Sequence, residues 1–209
     1  MDIVAPEILK YLTEVTHKSP PVLQEMEEYA RQHRFPIIGP LVGRFLQQLV
    51  ILSGAKRIFE MGSGYGYSAL WMSLVLPQEG RIDCTELDAA NIKRGKDYLS
   101  RAGASAKVSW HEGDALKFMQ EAQGPFDIIV NDVDKHQYPE SLKIAWPKLR
   151  CGGIMITDNS LWSGRVVGEN PPRDSTQGVL EVTRAAYALP DAITSIIPLR
   201  DGLLVAVKS

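Results

Sequence analysis

Cysteine is scarce in this chain. Only Cys84 and Cys151 occur, far apart, which argues against a disulfide scaffold and for a reduced, cytoplasmic setting. Both lie in apolar, strand-like stretches, where a small buried hydrophobe is the expected role. Histidine is scarce as well: residues 17, 33, 111 and 136 have no zinc-ligand spacing. The longest apolar runs, such as 49–52 and 70–76, are too short to span a bilayer, so no membrane partner is expected. The start, MDIVAPEILKYLTEV, has no basic segment leading into an apolar one, and no secretory signal is expected. Neither sign of charge dominates: 23 Lys and Arg face 25 Asp and Glu for a net −2, so no global field attracts nucleic acid or an anionic membrane. There is no Gly-x-Ser-x-Gly elbow for a hydrolase and no Gly-x-x-x-x-Gly-Lys-Ser/Thr phosphate loop.

What is present suits a single domain with a sizeable core: 209 residues, 44% of them hydrophobic, with no repeat or low-complexity tract. Residues 1–53 read as a helical extension. Pro6 and Pro20-Pro21 can open two helices, and Leu41, Phe45, Leu49 and Leu52 are spaced for a third. From residue 54 a core begins in which short apolar runs alternate with amphipathic ones. Strands are predicted over 57–61, 81–86, 107–111, 126–131 and 153–157, with helices over 68–76, 90–102, 115–121, 138–149 and 177–189. Two last strands, 192–198 and 202–208, flank the turn Arg200-Asp201-Gly202 and should add an antiparallel edge. Strand–helix alternation implies right-handed crossovers and an α/β fold, a mostly parallel sheet with helices on both faces. Such sheets bind ligands beyond the carboxyl ends of their strands.

The first strand runs into Glu60-Met61-Gly62-Ser63-Gly64-Tyr65-Gly66 ahead of a helix. A loop of this kind serves both dinucleotide and S-adenosylmethionine (SAM) sites, so an NAD-dependent oxidoreductase has to be weighed. Two details favour SAM. A dinucleotide fingerprint would have its third glycine at position 67, where Tyr67 stands. Glu60 would sit near a pyrophosphate, an unwelcome neighbour for a carboxylate, but suits the ammonium and sulfonium of SAM. Glu86 ends the second strand and can accept from both ribose hydroxyls. Asp114, after the third strand, either reads an adenine edge or caps the next helix.

The fourth strand ends in Asn131-Asp132-Val133-Asp134-Lys135 and the fifth in Thr157-Asp158-Asn159. Neighbouring strands would bring Asp132, Asp158 and Asn159 together, an all-oxygen set suited to Mg²⁺, Mn²⁺ or Ca²⁺. Three protein ligands on an octahedral ion leave room for water and two acceptor oxygens, which selects a chelating acceptor such as a catechol. A metal-bound hydroxyl loses its proton more easily. Lys135 is the candidate base once a nearby cation lowers its usual pKa of about 10.4; His136 is the rival. Tyr138 and Trp162 are candidates for stacking on an aromatic acceptor.

Together these segments, with Gly66-Tyr67-Ser68, Asp158-Asn159-Ser160-Leu161-Trp162-Ser163-Gly164 and Pro198-Leu199-Arg200-Asp201-Gly202, resemble the caffeoyl-CoA and catechol O-methyltransferase family over nearly the whole chain. The resemblance implies a Rossmann-like class I methyltransferase with a seven-stranded sheet, SAM as methyl donor, a divalent ion and a homodimer. By position it implies Asp132, Asp158 and Asn159 as metal ligands and Lys135 as the catalytic lysine. SAM contacts would fall at Glu60, Gly62, Ser68, Glu86 and Ala115, beside Gly64, Tyr65, Gly66, Asp114 and Asp132 of the motifs above. Leu41-Val42-Gly43-Arg44 replaces the acidic stretch of the plant enzymes, and residues 163–177 differ from theirs. Both regions bear on acceptor recognition, so a hydroxylated aromatic small molecule is expected, not caffeoyl-CoA itself. The stretch Tyr29-Ala30-Arg31-Gln32-His33-Arg34-Phe35-Pro36-Ile37 is also similar to bacterial relatives that methylate 5-hydroxyuridine in tRNA. On that alternative, Arg31, Arg34, Arg44, Arg165 and Arg173 would form a phosphate-binding rim.

Overall fold

In the computed structural model, residues 3–168 and 173–209 are described. Three helices precede the sheet: α1 (Pro6–Val15), α2 (Pro21–His33) and α3 (Gly39–Ser53). Each opens on a proline in its first turn, where the missing N–H has no helical partner to lose. Gly54 closes α3 in the left-handed conformation at φ 62°, its N–H reaching back to Val50 and Ile51.

Seven strands follow: β1 (Arg57–Met61), β2 (Arg81–Glu86), β3 (Val108–Glu112), β4 (Phe126–Asn131), β5 (Leu149–Thr157), β6 (Ala192–Ile197) and β7 (Leu203–Lys208). They interleave with α4 (Tyr67–Ser73), α5 (Ala89–Arg101), α6 (Ala115–Glu121), α7 (Tyr138–Ala145) and α8 (Asp174–Ala188). The strand order is β3-β2-β1-β4-β5-β7-β6. All pairings are parallel except those of β7, which runs antiparallel to both β5 and β6. The order reverses between β1 and β4, and a crevice opens there at the carboxyl ends.

Alternation along the strands divides the core in two. Ile58, Ile82, Ile128, Ile154 and Ile156 join α2–α5 on one face, whereas Phe59, Met61, Ile129, Met155 and Leu204 join α6–α8 on the other. Each fully buried side chain of this size contributes roughly 1.5–3 kcal/mol, so a one-residue slip of register would exchange both faces at once. No residue of α1 is buried. No helix of the described residues is long and apolar enough to cross a membrane.

Two expectations need correction here. Cys84 is buried but Cys151 is exposed, because residues 150–153 of β5 lie in the irregularity between the Leu149–Phe126 and Ile154–Ile128 pairs, where the register with β4 shifts. The predicted helix over 138–149 stops at Ala145 and tightens into a 3₁₀ turn, Trp146–Lys148, at Pro147.

Candidate active site

The ends of β1 and β4 are drawn together. Asp132 N–H donates to the Met61 carbonyl at 2.9 Å, and a Cβ on Gly62, at φ 82°, would stand 2.5 Å from the Asp132 carbonyl oxygen. Only glycine permits that approach. Over this junction lies a cavity of about 540 Å³ whose wall includes Gly62, Glu86, Asp114, Ala115, Asp132, Lys135, Asp158, Asn159, Trp162 and Arg200. A smaller cavity of about 190 Å³ adjoins it, walled by the Phe35–Ile38 segment, the glycine loop and Ser68.

On the β1–β3 side, Glu86 accepts from Gly64 N–H at 2.9 Å, Asp88 N–H at 3.0 Å and Asn91 at 3.2 Å, so its carboxylate is fixed at the mouth of the glycine loop. Asp114 caps α6 through Lys117 N–H and also borders the cavity; the two roles considered for it are compatible. Glu60 lies deeper than its motif implied. It is 1% exposed, accepts hydrogen bonds from Ser68 and Cys84, and borders neither cavity. Burial raises its pKa. Tyr65 borders the smaller cavity, while its hydroxyl donates to the Met26 carbonyl at 2.9 Å within the core. Gly66 leaves room for the indole of Trp110, so it serves packing beneath the loop.

On the β4–β5 side, Asp132, Asp158 and Asn159 come together on the cavity wall, as their strand-end positions implied. Asp158 is nearly buried and its Oδ1 has no hydrogen-bond partner. Burial first, and the neighbouring Asp132 second, push its pKa up to about 7. Burial also raises Asp132, against the pull of Lys135, whose ammonium lies 2.7 Å from Asp132 Oδ1. Arg200 stands 3.7 Å from Asp158 Oδ2. The Asn159 carboxamide donates to Asp201 Oδ2 at 3.2 Å, which fixes its nitrogen and leaves its carbonyl oxygen as a donor atom for the cluster. Two neighbouring carboxylates, one of them buried with an unpartnered oxygen, and a carboxamide fit a hard divalent cation. Among the described residues no cluster of three or more His, Cys, Asp or Glu offers a softer site.

Tyr138 is the clear correction. It is fully buried and its hydroxyl donates to the Asp158 carbonyl at 2.9 Å, because it opens α7 facing the second core. It cannot stack on an acceptor. Trp162 does border the cavity, with Lys135 5.7 Å and Arg165 5.0 Å from its ring centre. Of the five rim arginines, Arg31 pairs with Glu28 and Arg44 donates to the His17 carbonyl while lying over Trp71. None of the five borders the cavity. Residues 163–177, implicated in acceptor recognition, include 169–172, which lie outside the described residues.

Arg200 borders the cavity and Asp201 supports Asn159, although in the sequence they stand only in a turn and in the resemblance, with no role assigned. Asp201 binds Asn159 through one carboxylate oxygen and Ser163 N–H through the other. Their signal was the segment Pro198-Leu199-Arg200-Asp201-Gly202 in the family resemblance, not a local pattern.

The comparisons agree with this architecture. A protein-family profile described as O-methyltransferase matches residues 4–209. The chain is 32% identical over 206 residues to caffeoyl-CoA O-methyltransferase 1 of Eucalyptus globulus, covering 91% of this chain and 83% of that one. It is 35% identical over 145 residues to the catechol O-methyltransferase of Niastella koreensis, covering 68% and 66% of the two. Among solved structures, an O-methyltransferase from Bacillus cereus in complex with SAH superposes with a TM-score of 0.88 at 26% identity, covering 97% of each chain. An O-methyltransferase of tomaymycin synthesis from Streptomyces achromogenes, in complex with SAM, gives 0.87 at 25% identity, covering 97% of this chain and 96% of that one.

Proposed function

The chain belongs to the O-methyltransferase family and has its class I methyltransferase fold, and from that premise we propose that it methylates a catechol-like hydroxyl, using SAM and a divalent cation, Mg²⁺ foremost. The family leaves no place for the oxidoreductase alternative. The observation that carries the metal part is the buried Asp158 Oδ1 without a partner, beside Asp132 and Asn159.

SAM supplies an electrophilic methyl group on sulfur. Glu86 and Asp114, at the ends of β2 and β3, would hold its ribose and adenine, and Gly62 and Gly64 leave its chain room against the backbone. Glu60 acts from below by fixing Ser68, which borders the smaller cavity. A divalent cation held by Asp132, Asp158 and Asn159 would polarise two adjacent acceptor oxygens as a Lewis acid. Lys135, anchored beside Asp132 on the cavity wall, would take the hydroxyl proton at Nζ as the neutral amine, the form that a bound cation beside it favours over the ammonium. Trp162 offers the acceptor ring an aromatic wall. The rest is alignment of oxygen with the methyl carbon, which the two fixed loops provide.

Transfer of labelled methyl from SAM to 3,4-dihydroxy aromatics, with Mg²⁺ and with excess chelator, tests this reading. Chelator-sensitive labelling is expected. Labelling that survives the chelator would remove the metal, and labelling confined to tRNA bearing 5-hydroxyuridine would move the acceptor to nucleic acid.

A further inference from the structure

Arg200 sits in the turn between β6 and β7, at φ 55°, a left-handed conformation that a long side chain rarely adopts. The turn cannot relax easily. Ser160 and Leu161 N–H groups donate to the carbonyls of Gly202 and Asp201 at 2.9 Å each, and a Cβ at Gly202 would stand 2.5 Å from the Leu161 side chain. Strain held in this way is a sign that the position of the residue matters.

The guanidinium borders the larger cavity and is 38% exposed. At 3.7 Å from Asp158 Oδ2 it feels that charge without hydrogen-bonding to it. Among the described residues its planar fork makes no hydrogen bond. Lys135, the other cation on the wall, already has a carboxylate partner at 2.7 Å and is 13% exposed. Thus, of the two cations on the wall among the described residues, Arg200 is the more exposed and the one not hydrogen-bonded to a carboxylate, a few ångströms from the oxygen cluster. When Asp158 shares its charge with a metal ion, its hold on Arg200 weakens further.

Resting on the catechol reading above, we propose that Arg200 selects acceptors that carry a carboxylate, so that the preferred substrates are dihydroxylated aromatic acids rather than neutral catechols. A guanidinium fork matches a carboxylate with two parallel hydrogen bonds. The absence of the five other arginines from the cavity wall favours a carboxylate on the acceptor itself over a nucleic-acid phosphate.

The test compares 3,4-dihydroxybenzoate with 3,4-dihydroxybenzamide, which share a shape and differ in charge. Binding is measured by calorimetry to the full-length protein with Mg²⁺ and SAH present. Wild type should prefer the acid by about tenfold, the effect of a partly exposed bidentate pair. Arg200→Gln should bind the two equally, Arg200→Lys should keep part of the preference, and Mn²⁺ should bind Arg200→Gln at least as tightly as wild type, since a cation near a ligand has been removed. Equal binding of acid and amide by wild type overturns the proposal while leaving the catechol reading intact, and does so even if Arg200→Gln fails to fold. A preference that survives in Arg200→Gln overturns it too. Binding of neither compound, with tRNA labelled instead, overturns both readings.

Discussion

The two sides of the crevice turn their backbones by different means. On the β1–β3 side the left-handed positions are glycines: Gly62, Gly64, Gly66 and Gly113. On the β4–β7 side Gly164 and Gly202 share that work with Asn159, Trp162, Ser163 and Arg200, at a cost of order 1 kcal/mol for each side chain forced there. The first side removes side chains so that a ligand can approach the backbone. The second keeps them despite the strain, because its chemistry resides in side chains. A ligand that is held by main chain and one that is handled by charged groups need opposite local solutions.

Asp158→Ala should separate the two sides most sharply. Methyl transfer is expected to fall about 10³-fold, from the several kcal/mol that Lewis-acid stabilisation provides, while SAM binding by calorimetry stays near wild type. The melting temperature without metal should not fall, because the variant removes a buried carboxylate that has a like charge beside it; loss of SAM binding would show that the two sides are not independent.

Gly62→Ala is the converse. Its methyl would meet the Asp132 carbonyl in a conformation unfavourable to alanine, so stability should drop by about 1–3 kcal/mol in denaturant titration, with SAM affinity reduced. A variant as stable as wild type would mean that the junction of β1 and β4 yields more readily than its packing implies.

Asp201→Ala probes the support of the second side. Releasing the Asn159 amide should weaken Mn²⁺ binding by about 10–100-fold, the usual range for a group orienting a ligand, read by electron paramagnetic resonance. Asp201→Asn, which retains an acceptor oxygen, should recover part of it. Unchanged Mn²⁺ affinity would confine Asp201 to a role in the loop.

Protons should compete with the metal. The Asp158 pKa is raised to about 7 in the fold, against about 3.9 in an unfolded chain. Its contribution to metal-free stability is present below about 4 and is lost as pH rises through 7. Divalent binding must expel that proton, so affinity should rise with pH up to about 7 and then level off. Calorimetry in buffers of different ionisation heat would count the released proton; none released at pH 6 would mean that Asp158 is already ionised.

The smallest effect is expected for Tyr138→Phe, which removes one buried hydrogen bond worth about 1 kcal/mol and should leave the acceptor KM unchanged.

Most of the frame was legible because apolar runs stop at polar strand ends. Thus Asp132 and Asp158 could be assigned from the ends of β4 and β5, and Glu86 from the end of β2. Tyr138 misled because helix position alone did not reveal which face of α7 would be buried. Glu60 was placed beside the right loop but not at the right depth, since β1 alternates and Glu60 turns inward toward Ser68 and Cys84. Asp201 lies 42 residues from Asn159, a pairing that only the strand order β5-β7-β6 creates, and in a linear reading Arg200-Asp201-Gly202 is simply a turn.

The doubly engaged Asp201 carboxylate has one more consequence. Because a single group tethers both Asn159 and the Ser163 backbone, whatever stiffens Asn159 also stiffens the chain beyond Trp162, and the reverse holds by thermodynamic reciprocity. An acceptor settling against Trp162 would therefore tighten the grip on the metal, and the metal would ready the wall for the acceptor. The two ligands would be felt as a cooperative pair without any movement of the sheet.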